Sequence, residues 1–181
     1  MMRLFLGIAI PGRERTKLAG LQRRLAGGRL VHVDDLHVTM VFLGTGTAGQ
    51  VDELIDAIEG ISLALPRIKL SELGAFGRAQ PRSAWLGVAP TAPLEVLHKK
   101  LVRRVLDVGF DVPKRKYVPH VTLARFSPSV GSGNDLAAFV ESCSVTTFEP
   151  FQPHNLTLFQ SMVGRAAPIY HELHGFPVTP V

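Results

Sequence analysis

Leu36-His37-Val38-Thr39-Met40 and Pro119-His120-Val121-Thr122-Leu123 carry one pattern eighty-three residues apart, an imidazole and a hydroxyl two positions from each other within apolar neighbours. Successive side chains of a strand point to opposite faces, so His37 and Thr39 share a face while Leu36, Val38 and Met40 take the other. The second stretch divides in the same way, with His120 and Thr122 opposed to Val121 and Leu123. Each copy thus mounts an imidazole and a hydroxyl on a strand held by buried side chains, the rigid support that a reactive group needs. One His-x-Thr in a strand carries no weight. Two in equivalent places of a repeated pattern do.

The repetition extends outward from these motifs. Phe5-Leu6-Gly7-Ile8-Ala9 matches Trp85-Leu86-Gly87-Val88-Ala89 eighty residues on. The helical stripe Val51, Leu54, Ile55, Ile58 matches Leu136, Phe139, Val140, Cys143 eighty-five residues on. Three matches in one order, with slowly growing offsets, indicate a duplicated strand–helix–strand–helix unit. Two further stripes complete the helices: Leu18, Leu21 and Leu25 after Pro11, and Leu94, Leu97, Leu101, Val105 and Val108. Thr47-Ala48-Gly49-Gln50 is a capping-box pattern, and Asn134 or Asp135 is placed to cap the fourth stripe. Strand-like runs cover Arg3 to Ile10, Leu36 to Leu43, Ile68 to Leu73, Ser83 to Val88, His120 to Phe126 and Asn155 to Phe159, with Gly and Pro clusters at 74–82 and 127–133 as flexible loops. The predicted fold is α+β. Residues 1–181 form one bilobal domain of two pseudo-symmetric lobes, each an antiparallel-rich sheet with helices on its outer side, with a cleft between them.

Composition narrows the partners. The chain has 181 residues, 46% hydrophobic and 19% charged, with a net charge of +5, a balance that suits a polyanion. No apolar run approaches the roughly 20 residues of a membrane-spanning helix. The apolar opening is followed by Pro11-Gly12-Arg13-Glu14-Arg15 rather than a small-residue cleavage site, so it reads as a strand and not a signal peptide. Cys143 is the only cysteine, which precludes an internal disulfide and suits a reducing cytoplasm; it reads as a small buried apolar residue.

A pseudo-twofold axis between the lobes would bring both motifs into one cleft. Two imidazoles would then flank a small substrate, with two hydroxyls able to donate to anionic oxygens. Hydrolysis of a phosphodiester needs a base to take a proton from water and an acid to protonate the departing oxygen, and histidine suits both roles near neutrality. A His/His metal site is the rival reading, but neither motif has a carboxylate nearby and zinc usually takes three protein ligands. His171-Glu172-Leu173-His174 has ligand-like spacing within one possible helical turn, and no metal is expected there. His32, His98 and His154 read as surface or capping residues.

At these residues the sequence resembles the two-histidine (2H) phosphoesterases, specifically the RNA 2',3'-cyclic phosphodiesterase or 2'-5' RNA ligase family. The resemblance spans nearly the whole chain: Arg3-Leu4-Phe5-Leu6 with Pro11, Leu36 to Gly44, Pro81 to Val88, Pro119 to Arg125, and Leu156 to Ser161. His32 departs from it, where an aromatic residue is commoner. The resemblance implies cofactor-free hydrolysis of a terminal RNA 2',3'-cyclic phosphate to a 2'-phosphomonoester, with His37 as proton donor and His120 as proton acceptor. It implies that Thr39, Thr122 and Arg125 hold the phosphate and that Phe42 stacks on the terminal base. Phe42 and Arg125 each lie five residues after their histidine, an odd offset that points them away from the cleft unless the strand twists or bulges. The expected partner is RNA ending in a cyclic phosphate, or a nucleotide cyclic phosphate, met by a cytoplasmic monomer with no membrane attachment. Reversible 2'-5' ligation, a small cyclic nucleotide as substrate, and a non-catalytic RNA-end binding module are the alternatives.

Overall fold

The computed structural model describes residues 1–25, 27–77, 82–127, 146–164 and 168–181. The opening strand β1 (Met2–Ala9) buries Leu4 through Ile8 without alternation, which marks a strand covered on both faces. Pro11 ends it in an extended conformation and α1 (Gly12–Gln22) follows, its Leu18 and Leu21 buried. The two-residue β2 (Arg29–Leu30) and a 3-10 turn at Val33–Asp35, which His32 caps by accepting from the Asp34 amide, lead into β3 (His37–Gly46). Thr47 and Gln50 make the reciprocal capping box of α2 (Ala48–Glu59), whose Val51, Leu54 and Ile58 are buried. After β4 (Ala64–Leu65), the hairpin β5 (Lys69–Phe76) and β6 (Ser83–Ala89) precedes α3 (Thr91–Asp107), which buries Leu94, Leu97, Leu101 and Val105. The strands β7 (His120–Arg125), β8 (Asn155–Met162), β9 (Ile169–Pro177) and β10 (Thr179–Pro180) complete the described elements.

The large sheet runs β5-β6-β7-β3-β1-β8-β9, with β2 paired to β7, and its pairings are antiparallel; β4 and β10 form a small parallel pair. The expected lobes are therefore β3-β1-β8-β9 and β7-β6-β5, hydrogen-bonded edge to edge. Their seam is a single registered pair, Val38 opposite Val121, both 0% exposed. The helices cross it: α3, which follows β6, packs on β3, while α1, which follows β1, packs on β7.

Three expectations change. Residues 171–174 lie in β9, an extended edge strand, because pairing with β8 decides a segment whose polar sequence shows no alternation. Residues 74–76 are strand rather than loop, since Gly74 admits the Trp85 indole where a Cβ would meet it at 2.4 Å. His98 is not a surface residue; it is part-buried against β3. The fourth helical stripe with its cap, Cys143, and most of the two expected loops fall outside the described residues.

Candidate active site

Antiparallel pairing of Val38 with Val121 fixes what lies beside the seam. One step along each strand sets His37 beside Thr122 and Thr39 beside His120 on the face away from the buried valines. The imidazoles occupy one diagonal of this square and the hydroxyls the other. Diagonal neighbours on adjacent strands are about 7–8 Å apart, room for one phosphate between two rings.

Both imidazoles are oriented by backbone. His37 Nδ1–H donates to the Asp35 carbonyl at 2.6 Å, and His120 Nδ1–H donates to the Val118 carbonyl at 2.6 Å. A carbonyl only accepts, so each Nδ1 carries the proton and each Nε2 is left for chemistry. The Thr39 hydroxyl lies 3.0 Å from His37 Nε2 and donates to it when the ring is neutral.

The odd offset of Phe42 and Arg125 is absorbed by a bulge in each strand. Against β1, Thr39 pairs with Gly7 but Val41 with Leu6, leaving Met40 as the extra residue. Against β6, Thr122 pairs with Trp85 but Ala124 with Ala84, leaving Leu123 extra. Each extra residue is the third after its histidine, and each is buried with the residue that follows it. The alternation shifts by one, so Phe42 and Arg125 return to the histidine face.

A helix of the opposite half holds each bulge. His98 of α3 donates Nδ1–H to the Met40 carbonyl at 2.7 Å, and Gln22 of α1 donates Nε2–H to the Leu123 carbonyl at 2.9 Å. The Met40 carbonyl thereby gains a donor where the ladder is disrupted, while the Leu123 carbonyl accepts from Gln22 in addition to the Val31 amide at 2.9 Å. His98 also stacks on Tyr117, with ring centroids 4.1 Å apart, and the Tyr117 hydroxyl lies 3.1 Å from Met40 Sδ. Tyr117 immediately precedes Val118, whose carbonyl orients His120.

Aromatic side chains enclose the rings. Phe5 stacks on His37 at 4.7 Å and Tyr170 meets it edge-on at 5.3 Å; Phe76 meets His120 edge-on at 4.9 Å, with Trp85 at 5.7 Å. Gly7 makes room on this face, where a Cβ would come within 3.4 Å of the His37 ring. Arg115 lies over Phe42, its guanidinium carbon 5.3 Å from the ring centroid. A shallow hollow beside β2 is lined among others by Arg29, His32, Asp35, Arg125 and Tyr170. Sequence patterning missed these aromatics, the orienting carbonyls, Gln22 and His98. The one available signal was the aromatic two residues before a glycine in both Phe5-Leu6-Gly7 and Trp85-Leu86-Gly87.

The electrostatics favour neutral rings in the free protein. Burial drives the His37 pKa down to about 4, helped by the charges of Arg125 and His120 and opposed by the bond to the Asp35 carbonyl. Burial also lowers His120, with Arg125 and Arg115 adding to it and the Val118 carbonyl opposing. Arg125 therefore acts on both imidazoles. An anion between them would reverse its effect and raise both. Among the described residues, no three His, Cys, Asp or Glu side chains converge to hold a metal ion. His174 instead lies 3.0 Å from the Glu59 carboxylate and packs on Phe176.

The chain is similar in sequence and fold to known proteins. The 2'-5' RNA ligase superfamily profile matches residues 11–142. An RNA 2',3'-cyclic phosphodiesterase of Methanocaldococcus jannaschii is 28% identical over 172 residues, covering 93% of this chain and 96% of that protein. One of Aquifex aeolicus is 30% identical over 155 residues, covering 82% of this chain and 81% of that protein. Among solved structures, E. coli LigT in apo form superposes with a TM-score of 0.76 at 25% identity over 98% of both chains. With two His-x-Thr strands meeting at one seam and a profile match across most of its length, this chain belongs to the 2'-5' RNA ligase superfamily of two-histidine phosphoesterases.

Proposed function

We propose that this protein hydrolyses the 2',3'-cyclic phosphodiester at the end of an RNA to a 2'-phosphomonoester, by two-histidine acid–base catalysis. The Val38–Val121 seam carries the reading, because it sets two backbone-oriented imidazoles on one diagonal and two hydroxyls on the other. The relatives from M. jannaschii and A. aeolicus, both named RNA 2',3'-cyclic phosphodiesterases, support it.

The reaction balances without further reactants. Water attacks phosphorus as its proton passes to one Nε2, the P–O3' bond breaks, and the departing O3' takes a proton from the other Nε2–H. The product keeps the phosphate on O2'. The family resemblance makes His120 the acceptor and His37 the donor. Lowering of His37 to about 4 opposes a donor role in the free protein, and the anionic substrate offsets it by restoring the ring's affinity for a proton. Each proton transfer is worth roughly 10²–10⁴-fold. Thr39 and Thr122 donate to the equatorial oxygens, Arg125 supplies fixed positive charge, and Phe42, 40% exposed on the same face, stacks on the terminal base.

The test is turnover of an oligonucleotide ending in a 2',3'-cyclic phosphate, with and without excess EDTA, and with the phosphate position of the product determined. A 2'-phosphate formed equally fast in EDTA is expected. A 3'-phosphate product, or loss of activity on chelation, contradicts the scheme. Supplying a 5'-hydroxyl RNA in the same assay measures 2'-5' joining; hydrolysis should dominate because water is in vast excess.

A further inference from the structure

Arg115 takes no part in the proposed hydrolysis, yet it lies close to the site, over Phe42 and within electrostatic reach of His120. Lys114, Arg115 and Lys116 are exposed on the segment that leads into β7. The Arg115 guanidinium rests on Phe42 at 5.3 Å, and its charge is felt at His120. Among the described residues Arg115 is paired with no carboxylate. A guanidinium laid on an aromatic ring is held in place while its N–H groups stay available to anionic oxygens. The cation assigned to the cyclic phosphate is Arg125, near the other end of the cleft, beside β2. The two arginines thus bracket the histidine diagonal, Arg125 beside β2 and Arg115 over Phe42.

We infer that Lys114, Arg115 and Lys116 form a rim that binds the phosphodiester backbone upstream of the cyclic end, so that the protein favours an oligonucleotide over a mononucleotide cyclic phosphate. The inference rests on the cyclic-phosphodiesterase reading of the cleft and extends it to substrate length. A mononucleotide presents only the reacting phosphate; the rim gains its anion when a second nucleotide is attached.

The experiment compares kcat/KM for a 2',3'-cyclic mononucleotide and for a short oligonucleotide with the same terminal residue, in wild type, Arg115→Ala, Arg115→Lys and the double variant Lys114→Ala/Lys116→Ala. Wild type should prefer the oligonucleotide. Arg115→Ala should cut the oligonucleotide-to-mononucleotide ratio about tenfold, the worth of one charge-assisted hydrogen bond. Arg115→Lys should recover much of the ratio. The salt dependence of oligonucleotide kcat/KM should flatten by about 0.7 in log–log slope for each phosphate that the rim no longer neutralises. An unchanged ratio and slope in both the arginine and the double lysine variants overturns the rim while leaving the catalytic reading intact. If wild type turns over neither substrate, the catalytic reading fails, and the rim is judged by fluorescence anisotropy with a labelled oligonucleotide ending in a 2'-phosphate. Weaker binding and a flatter salt slope in Arg115→Ala support it there; equal affinities and slopes refute it.

Discussion

At the residue scale, His37, His120 and Arg125 form one electrostatic unit. Burial and Arg125 hold both imidazoles below the ordinary histidine range. Catalysis needs one ring neutral and the other charged, so kcat/KM, which reports the free protein, should follow a bell centred below pH 6.5. The kcat bell should lie at higher pH, because bound phosphate raises both rings. Arg125→Ala removes a cation that depresses both groups, so its kcat/KM bell should move to higher pH. Its height should fall roughly 10- to 100-fold as a charge-assisted hydrogen bond to the phosphate is removed. pH–rate profiles of wild type and variant measure both effects. A bell centred above pH 7 in wild type, or one that stays put in the variant, contradicts this account. The histidine pair was legible in the sequence because strand alternation alone puts His and Thr on one face. The carbonyls of Asp35 and Val118 were not, since backbone groups leave no trace in residue type.

At the element scale, the two bulges decide which side chains reach the cleft. Without the extra residue at Met40 and at Leu123, Phe42 and Arg125 would point to the helix side. Sequence reasoning could state that a bulge was required but not where it falls, because it shows only in the register against strands distant in sequence. His98→Phe keeps a ring against Tyr117 but leaves the buried Met40 carbonyl without its donor, at a cost of about 1–3 kcal/mol. We expect a raised KM for base-bearing substrates as Phe42 loses its aim, with partial rescue by His98→Gln, which can still donate. Gln22→Leu acts on the Arg125 side and should lower kcat instead. Steady-state kinetics at a temperature where thermal melts show each variant folded make the distinction. Equal losses in kcat and KM for both would assign the pair a general packing role. The edge strand β9 was missed for a different reason. Exposed on much of its length, it lacks the apolar alternation that betrays a strand, yet it brings Tyr170 to within 5.3 Å of His37.

At the scale of the molecule, the sheet is continuous while its two halves touch through one registered pair. The α+β class and the order of α1 to α3 with β1, β3, β5, β6, β7 and β8 followed from periodicity, since apolar stripes and strand runs are local patterns; β2, β4, β9 and β10 did not. The detailed repeat did not. Phe5–Ala9 and Trp85–Ala89 match in sequence, but Gly7 lies beside Thr39 whereas Gly87 lies beside His120, a slip of two residues. An even slip keeps every side chain on its face, and the histidines converge through the separate Val38–Val121 pairing. The crossing helices brace the seam, α1 on β7 and α3 on β3. Among the described residues no helix is long and apolar enough to cross a membrane.

The central claim is that the two imidazoles act on one phosphorus as a unit. Single-turnover rates of His37→Ala, His120→Ala and the double variant on an oligonucleotide cyclic phosphate test it most directly. Each single change should reduce the rate by roughly 10²–10⁴-fold, and the double variant should be scarcely slower than the worse single one, as for residues that work in one step. Wild-type rates in either single variant, or losses that multiply fully in the double, would contradict it.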